Sequence, residues 1–560
     1  MNVPAAESRR MSSDPLPTSR LLLTDPTGAT YIPRMTSHQL QTFCSIVGLL
    51  LAASPLPAQS RDWRPQDRTV LGDFTHITAV AASVDRVFVV SPSGLLIWNP
   101  QFRQWEGPYT PPDPQLLDRV FAGLVDPLDN SLWLARTDGW VHYDPNIQNW
   151  DRGSAPGAVT DIAFDLDQPV AGLFLRTSSG WLLVPRGGIS ATPTQPPGRV
   201  VHPPSVGEAI RANPSLQANA SAILLDARLR TARYTAAATG FGGRGWYLGT
   251  WGLGLLYLPD GAALPERLTF GLPGEAVGAL YAAPGGVWVA NDRTATSEAA
   301  VSFVAADLSD FKWLRGPAAT GVPFQQTRRI LGVGRTLWAG TDAGLIQISP
   351  EDGQMARYDQ GRGLPDSRVI SLATRRGILA VGTAHGVVLV DDSTHITRVA
   401  PSFRDAALSV ALSGDTVWVG TQVGLFAGLP KEEDLLQPEG LKGVNFQVPV
   451  IAIRWAADTL VALTADQMLW RNPRTGVWSL GPTLSGTLGR LSVLIPYRDG
   501  FYVGGDRGFG FTRVNFPVIR PLLQPGDIPA SVYDLAIDDT YLWVATPKGL
   551  VRFRLDAIQP

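Results

Sequence analysis

The residues able to do chemistry are few and scattered. The six histidines stand at 38, 76, 142, 202, 385 and 395, and no two lie at ligand spacing on one element. A zinc site needs three or four such groups converging, so no metal and no cofactor is expected. The acidic pairs Asp391-Asp392 and Asp538-Asp539 offer oxygens to calcium, but without the spacing of an EF-hand loop. Cys44 is the only cysteine, which excludes an intramolecular disulfide framework and any Cys-rich cluster. There is no Gly-x-Ser-x-Gly elbow. Gly-Phe-Gly-Gly-Arg-Gly at 240–245 has the glycines of a phosphate loop but lies among β runs with no following helix, and reads as a hairpin turn. No catalytic constellation is visible, and the chain is not expected to be an enzyme.

Charge narrows the partners. Over 560 residues, 47 Lys and Arg face 49 Asp and Glu, a net charge of −2. A nucleic-acid binder would show a basic excess; none is expected here. Charged residues make up 17%, below the roughly 25% of ordinary soluble domains, whereas 57 glycines, 46 prolines and 17 tryptophans are many. Turns, aromatics and few charges point to an all-β fold.

That fold is repetitive. A short run rich in Trp and Val, often Gly-Thr, two or three variable residues, Gly and a second apolar run recur. The clearest copies are 337–348 (LWAGTDAGLIQI), 378–390, 417–426, 246–258 and 542–553. The turn glycine stands at 94, 139, 180, 254, 344, 386, 424, 508 and 549, and degenerate copies at 287–291 and 460–470 fill the two longest gaps. The count is about eleven repeats of about 42 residues, each readable as four short strands, the pattern of a β-propeller. In the first repeat the strands are placed at 77–82, 86–91, 94–99 and 104–106. Gly94, Gly344, Gly386, Gly424 and Gly549 are expected at positive φ in hairpin turns, with Thr341, Thr383 and Thr421 bonding the turn backbone. Gly340, Gly382 and Gly420 are expected where sheets approach closely, and the tryptophans between sheets.

Propeller ligands meet a face where turns between second and third strands gather. Here those turns carry Asp138, Trp251, Asp342, His385, Gln422, Arg507 and Lys548, a set without uniform charge. They are the candidate ligand-binding residues. Trp251 has the character of a sugar- or peptide-stacking group, or of a ring packed against the neighbouring insertion.

The stretch Leu337-Trp338-Ala339-Gly340-Thr341-x-x-Gly344-Leu345, followed by GRGLPDSRVISLA at 361–373, resembles the repeat of two-component-regulator propellers. The match is good over 335–430 and 540–553 and loose elsewhere. The resemblance implies a secreted or periplasmic propeller, often the sensory part of a membrane histidine kinase or part of a surface assembly. The chain departs from the sensor-kinase form: it shows no internal membrane span and no kinase domain.

Eleven sheets exceed the four to eight of a typical ring, so two rings are expected, with one large ring as the alternative. Residues 1–34 read as a disordered or mis-assigned extension, and 35–58 as a signal peptide with the apolar run 43–53 and cleavage after Ala58. Repeats 1–5 are placed at 59–320, with a non-repeat insertion at 187–230, and repeats 6–11 at 321–560. The last repeat lacks a fourth strand, which residues 66–75 are placed to supply. The expected function is an exported binding, scaffold or ligand-sensing propeller. It would recognise a glycan, peptide or protein on one face, with a separate membrane protein among its partners. The alternatives are a propeller lyase or hydrolase acting on a polysaccharide or lactone, with His385 and two carboxylates at a central pocket, and a detached sensor module of a two-component system.

Overall fold

The computed structural model describes residues 67–560 except 227–229, 293–298, 316–325, 442–446, 457, 515 and 559–560. The expected signal peptide, Cys44 and the extension before it lie outside the described residues.

Eleven antiparallel sheets follow one another along the chain. Numbered in chain order, their first strands are Ala79–Ala82, Val120–Val125, Val159–Asp165, Arg233–Thr239, Val277–Ala283, Thr327–Val333, Val369–Arg375, Ser409–Ser413, Ala452–Ala456, Leu491–Tyr497 and Asp534–Ile537. In sheet 1 the later strands are Val87–Ser91, Gly94–Asn99 and Gln104–Tyr109, so the repeat was read to within a few residues. Nine sheets have four strands; sheet 3 has five and sheet 8 has three among the described residues. The second strands of sheets 1, 5 and 10 are buried along their whole length. A strand packed on both faces reads as a continuous apolar run, which is why the LWAG-type copies do not alternate.

The motif glycines and threonines act as their positions require. Gly344 has φ +141° and Gly549 φ +122°, in hairpin turns that an L side chain rarely enters. The preceding Thr341 and Thr546 hydroxyls donate to the carbonyls of Gly344 and Gly549 at 2.8 and 2.7 Å. A Cβ on Gly340 would come within 2.6 Å of Val369 in the next sheet.

The first strands of neighbouring sheets touch and form an inner wall. From sheet 5 to sheet 11 each follows the last, and sheet 11 returns to sheet 5. Seven sheets therefore close into a ring. Asp534 of sheet 11 accepts the Leu280 N–H of sheet 5 at 3.0 Å across the closing seam. Serines do the same work at three other seams: Ser371 donates to Ala407 O at 2.8 Å, Ser409 to Val450 O at 3.0 Å and Ser492 to Val532 O at 2.6 Å. The fourth strand of sheet 11 is Arg68–Leu71, paired antiparallel to Gly549–Arg554. Both ends of the described chain thus meet in one sheet.

Sheets 1–4 form an arc in the spatial order 4-1-2-3. The chain leaves the ring after Leu71, builds the arc and returns at Val277. Sheet 5 belongs with sheets 6–11, so the grouping is four and seven, one sheet different from a division at residue 320. Sheets 3 and 4, at the ends of the arc, are not joined through their first strands in the manner of the ring. The insertion has a structural part in both. Thr192–Thr194 and Val200–Val201 add two edge strands to sheet 3. Three short helices, Val206–Ala212, Ser215–Ala218 and Ala220–Ile223, follow. They bury Ala209 and Leu216 against Leu248, Leu256 and Leu258 of sheet 4. Ser205 and Glu208 cap the first helix reciprocally.

One continuous apolar cluster joins arc and ring, with Phe74, Phe270 and Leu272 between sheets 1 and 4 on one side and sheets 5 and 11 on the other. The Trp105 and Trp313 indoles donate to Thr269 O at 3.0 Å and Gly271 O at 2.8 Å in the same linker. Ser409→Ala is expected to cost about 1–2 kcal/mol by urea unfolding, because a buried carbonyl loses its donor. Removal of residues up to Leu71 is expected to cost more and to promote aggregation, because it bares the Gly549–Arg554 edge.

Candidate functional site

Each first strand of the ring begins on the face where the turn between the second and third strands also lies. There, Arg328, at the start of sheet 6, donates to Asp342 in the 2–3 turn of the same sheet at 2.8 Å. His385 Nδ1 lies 2.8 Å from Asp366 Oδ2, on the segment entering sheet 7. Gln422 and Lys548 are exposed in their turns, and Arg507 reaches Gly486 O at 3.3 Å. These five candidates share the rim of the ring, but each charged partner is local and they do not converge.

The other two lie on the arc. Asp138 is held by Arg136 through two bonds of 2.9 and 3.0 Å, and this bond, with the nearby Arg119, lowers its pKa against the opposing effect of burial. Trp251 is 41% exposed, and its ring packs on His76 with centroids 4.6 Å apart and under the Arg233 guanidinium. A cleft of about 160 Å³ beside it is lined by His76, Asp226, Thr231 and Ala232.

His385 has one carboxylate partner, is 60% exposed, and is absent from the channel walls. It does not form the central acid–base group that an enzyme reading required. Asp391 and Asp538 spend their carboxylates on their own turns, accepting from Ser393 and His395 and from Thr540, Tyr541 and Trp543. Among the described residues, no cluster of three His, Cys, Asp or Glu is placed to hold a metal.

The ring encloses a central channel. Its mouth on the rim face, about 310 Å³, is lined by Asp292, Arg328, Ser492 and Tyr533 among others. Tyr533 is 44% exposed there. Deeper lies a space of about 430 Å³, walled by the first strands of sheets 5–9 and 11. That volume is within the range of about 300–1,000 Å³ of small-molecule sites. Its charged groups are Arg329, Arg454 and Asp534. Asp534 already accepts from the Leu280 and Leu535 N–H groups, and Arg329 approaches it at 3.9 Å. Arg454 Nη1 donates to Ile453 O at 2.9 Å, and no carboxylate among the described residues pairs with it. Burial and the neighbouring Arg329 push its pKa down to about 10, with Asp534 acting in the opposite sense.

Sequence reading missed these three residues because it looked at turns. The available signal was a charge inside a first strand, in Thr327-Arg-Arg-Ile-Leu and Ala452-Ile-Arg-Trp-Ala.

No family model and no curated protein matches the chain. Similar solved structures include the extracellular domain of a putative hybrid two-component system from B. thetaiotaomicron. That match has 13% identity over 86% of this chain and 70% of that one, with a TM-score of 0.42. PorZ, a surface component of the type-IX secretion system of Porphyromonas gingivalis, is 13% identical over 85% of this chain and 68% of that one, TM-score 0.43. A streptogramin B lyase is 13% identical over 50% of this chain and 94% of that one, TM-score 0.40. The sheet count and the closure rest on this chain's own strand pairing.

At the mouth, burial raises the pKa of Asp292 above 3.8, against the opposing bond from the Thr327 N–H. A carboxyl with a raised folded pKa favours the fold below its unfolded pKa, and this support is lost as pH rises through the folded value. Asp292→Asn is therefore expected to raise stability near neutral pH and to give no gain well below pH 3.8, as read from thermal unfolding at each pH.

Proposed function

We propose that the protein is an exported recognition propeller that takes a glycan, peptide or protein partner on the rim face of the seven-sheet ring. One observation carries this reading: the five rim turns and a mouth of the channel open on the same face, with the half-exposed Tyr533 in its lining. Such a face offers a concave centre and a polar border, the anatomy of a binding surface. A propeller of this kind works as a scaffold or as the sensing part of a larger signalling assembly, with a membrane protein as its partner. Among the described residues no helix is long and apolar enough to cross a membrane. Export rests on the apolar run at 43–53 and the small residues after it.

The test is a glycan array and a pull-down with the full chain. A retained ligand is expected, with binding at least tenfold weaker for Tyr533→Ala and an unchanged melting temperature. Absence of any ligand together with turnover of a polysaccharide or lactone by the purified protein overturns the reading in favour of an enzyme. N-terminal sequencing of the exported protein is expected to begin at Gln59. A start upstream of residue 43 overturns the assignment of the signal peptide.

A further inference from the structure

The channel wall has an irregularity that the fold does not require. The residues at one level, matched through their pairing with the second strands, are Tyr281, Leu331, Ala373, Ala411, Arg454, Ile495 and Ala536. Six are uncharged and one is arginine. A half-buried cation without a carboxylate partner carries a desolvation cost unless something pairs with it. Nothing among the described residues does. Arg329 adds a second positive charge close enough to depress the first, and among the described residues Asp534 is the only acidic group lining this part of the channel. The Asp534 oxygens are already engaged by backbone N–H groups. Asp292 at the mouth faces Thr327, and Arg328 is taken by Asp342. The inner channel therefore holds one positive charge in excess.

Its shape supplies the rest. Trp455, next to Arg454 in sequence, and Tyr281 line the same space and are half-buried. The Trp455 indole is fixed by donating to Leu412 O of the neighbouring sheet at 3.1 Å. Two guanidinium groups and two aromatic side chains lining one space suit an oxyanion carried on a flat or apolar body.

We propose that the channel of the seven-sheet ring is a binding site for a small organic anion, its carboxylate or similar oxyanion lying between Arg454 and Arg329 and its body along Trp455 and Tyr281. The proposal rests on the reading of the ring as the ligand-binding part, and names the chemistry taken at its centre. An acidic sugar and the C-terminal residue of a peptide share that chemistry.

The experiment is calorimetric titration of the full chain with sodium glucuronate against glucose, and with glycyl-phenylalanine against its C-terminal amide. At least one acid is expected to bind saturably, and at least tenfold more tightly than its neutral counterpart; which acid does so identifies the source. Arg454→Gln is expected to lose tenfold or more of that affinity without a fall in melting temperature, and Arg454→Lys to recover part of it. Two results overturn the proposal: neither acid is preferred over its neutral partner, or Arg454→Gln binds the acid as the natural protein does. A fall in melting temperature for Arg454→Gln with unchanged acid affinity makes the arginine structural and also overturns it. Normal binding by Arg454→Gln combined with weakened binding by Tyr533→Ala places the ligand on the rim face instead, so the channel site fails while the recognition reading stands. No response from the acids, the glycan array or the pull-down overturns both.

Discussion

The constraint on which this structure depends is that each sheet has two apolar faces. The Val287 and Val289 side of sheet 5 packs toward sheet 11, and the Trp288 and Ala290 side toward sheet 6. Neither face can be left to water, at roughly 1.5–3 kcal/mol for each large side chain exposed. A row of such sheets is stable only if it closes or if its end faces are covered. The ring takes the first solution and the arc shows a form of the second. Around the ring, stacking is reinforced by hydroxyl-to-carbonyl bonds that cross from one sheet to the next segment, and at the closing seam by a carboxylate. Those bonds satisfy backbone groups that a change of direction between sheets would otherwise strand.

The arc and the ring are held as one body by chain path as much as by contact. Because Arg68–Leu71 belongs to sheet 11 and the arc is built next, the chain must come back to the ring at Val277. The arc is thus inserted between the last strand of the ring's sheet 11 and the first strand of its sheet 5. Arg552 records the same junction: its guanidinium lies over the rings of Tyr541 and Trp543, bonds Ala306 O of sheet 5, and reaches Thr69 Oγ1 at 3.2 Å. At sheet 4, where ring-like stacking stops, three short helices lay Leu216 and Ala209 on the apolar face.

What was legible in the sequence followed from local physics. A tight hairpin favours a glycine at positive φ and a hydroxyl to tie the turn, so the pair seen at Thr341 and Gly344 is legible again at Thr383 and Gly386, Thr421 and Gly424, and Thr546 and Gly549. A close approach between sheets excludes a side chain, so Gly340 could be placed. The segment 192–201 was opaque for the opposite reason: its prolines suit edge strands as well as loops, and pairing with distant strands decided the matter. The spatial order 4-1-2-3 was equally hidden, since it is set by which faces meet and not by chain order. Six of the seven turn candidates lie between the second and third strands and Trp251 ends its second strand, yet the sequence could not say whether they converge. In the ring, Asp342 and His385 turn to partners on the strand or loop entering their own sheets.

The axis of a ring is where sequence reading is weakest and where function has most room. Positions on seven first strands come together there although they are separated by about forty residues each. The level paired to Gly340 and its equivalents makes the point: it holds Ala279, Arg329, Ser371, Ser409, Ala452, Val493 and Asp534. Small residues suffice at five of the seven, and two of those are serines that bond the next sheet. The fold therefore does not demand a charge at this level. Asp534 has a structural use in closing the seam to Leu280, but the same seam could be bonded by serine, as three others are. Arg329 lies within reach of that carboxylate, and Arg454 is left over. A set in which one charge closes the ring, a second balances it and a third, half-buried, has no carboxylate partner among the described residues is better explained by a ligand than by stability, because removing Arg454 would relieve the fold of a partly desolvated cation.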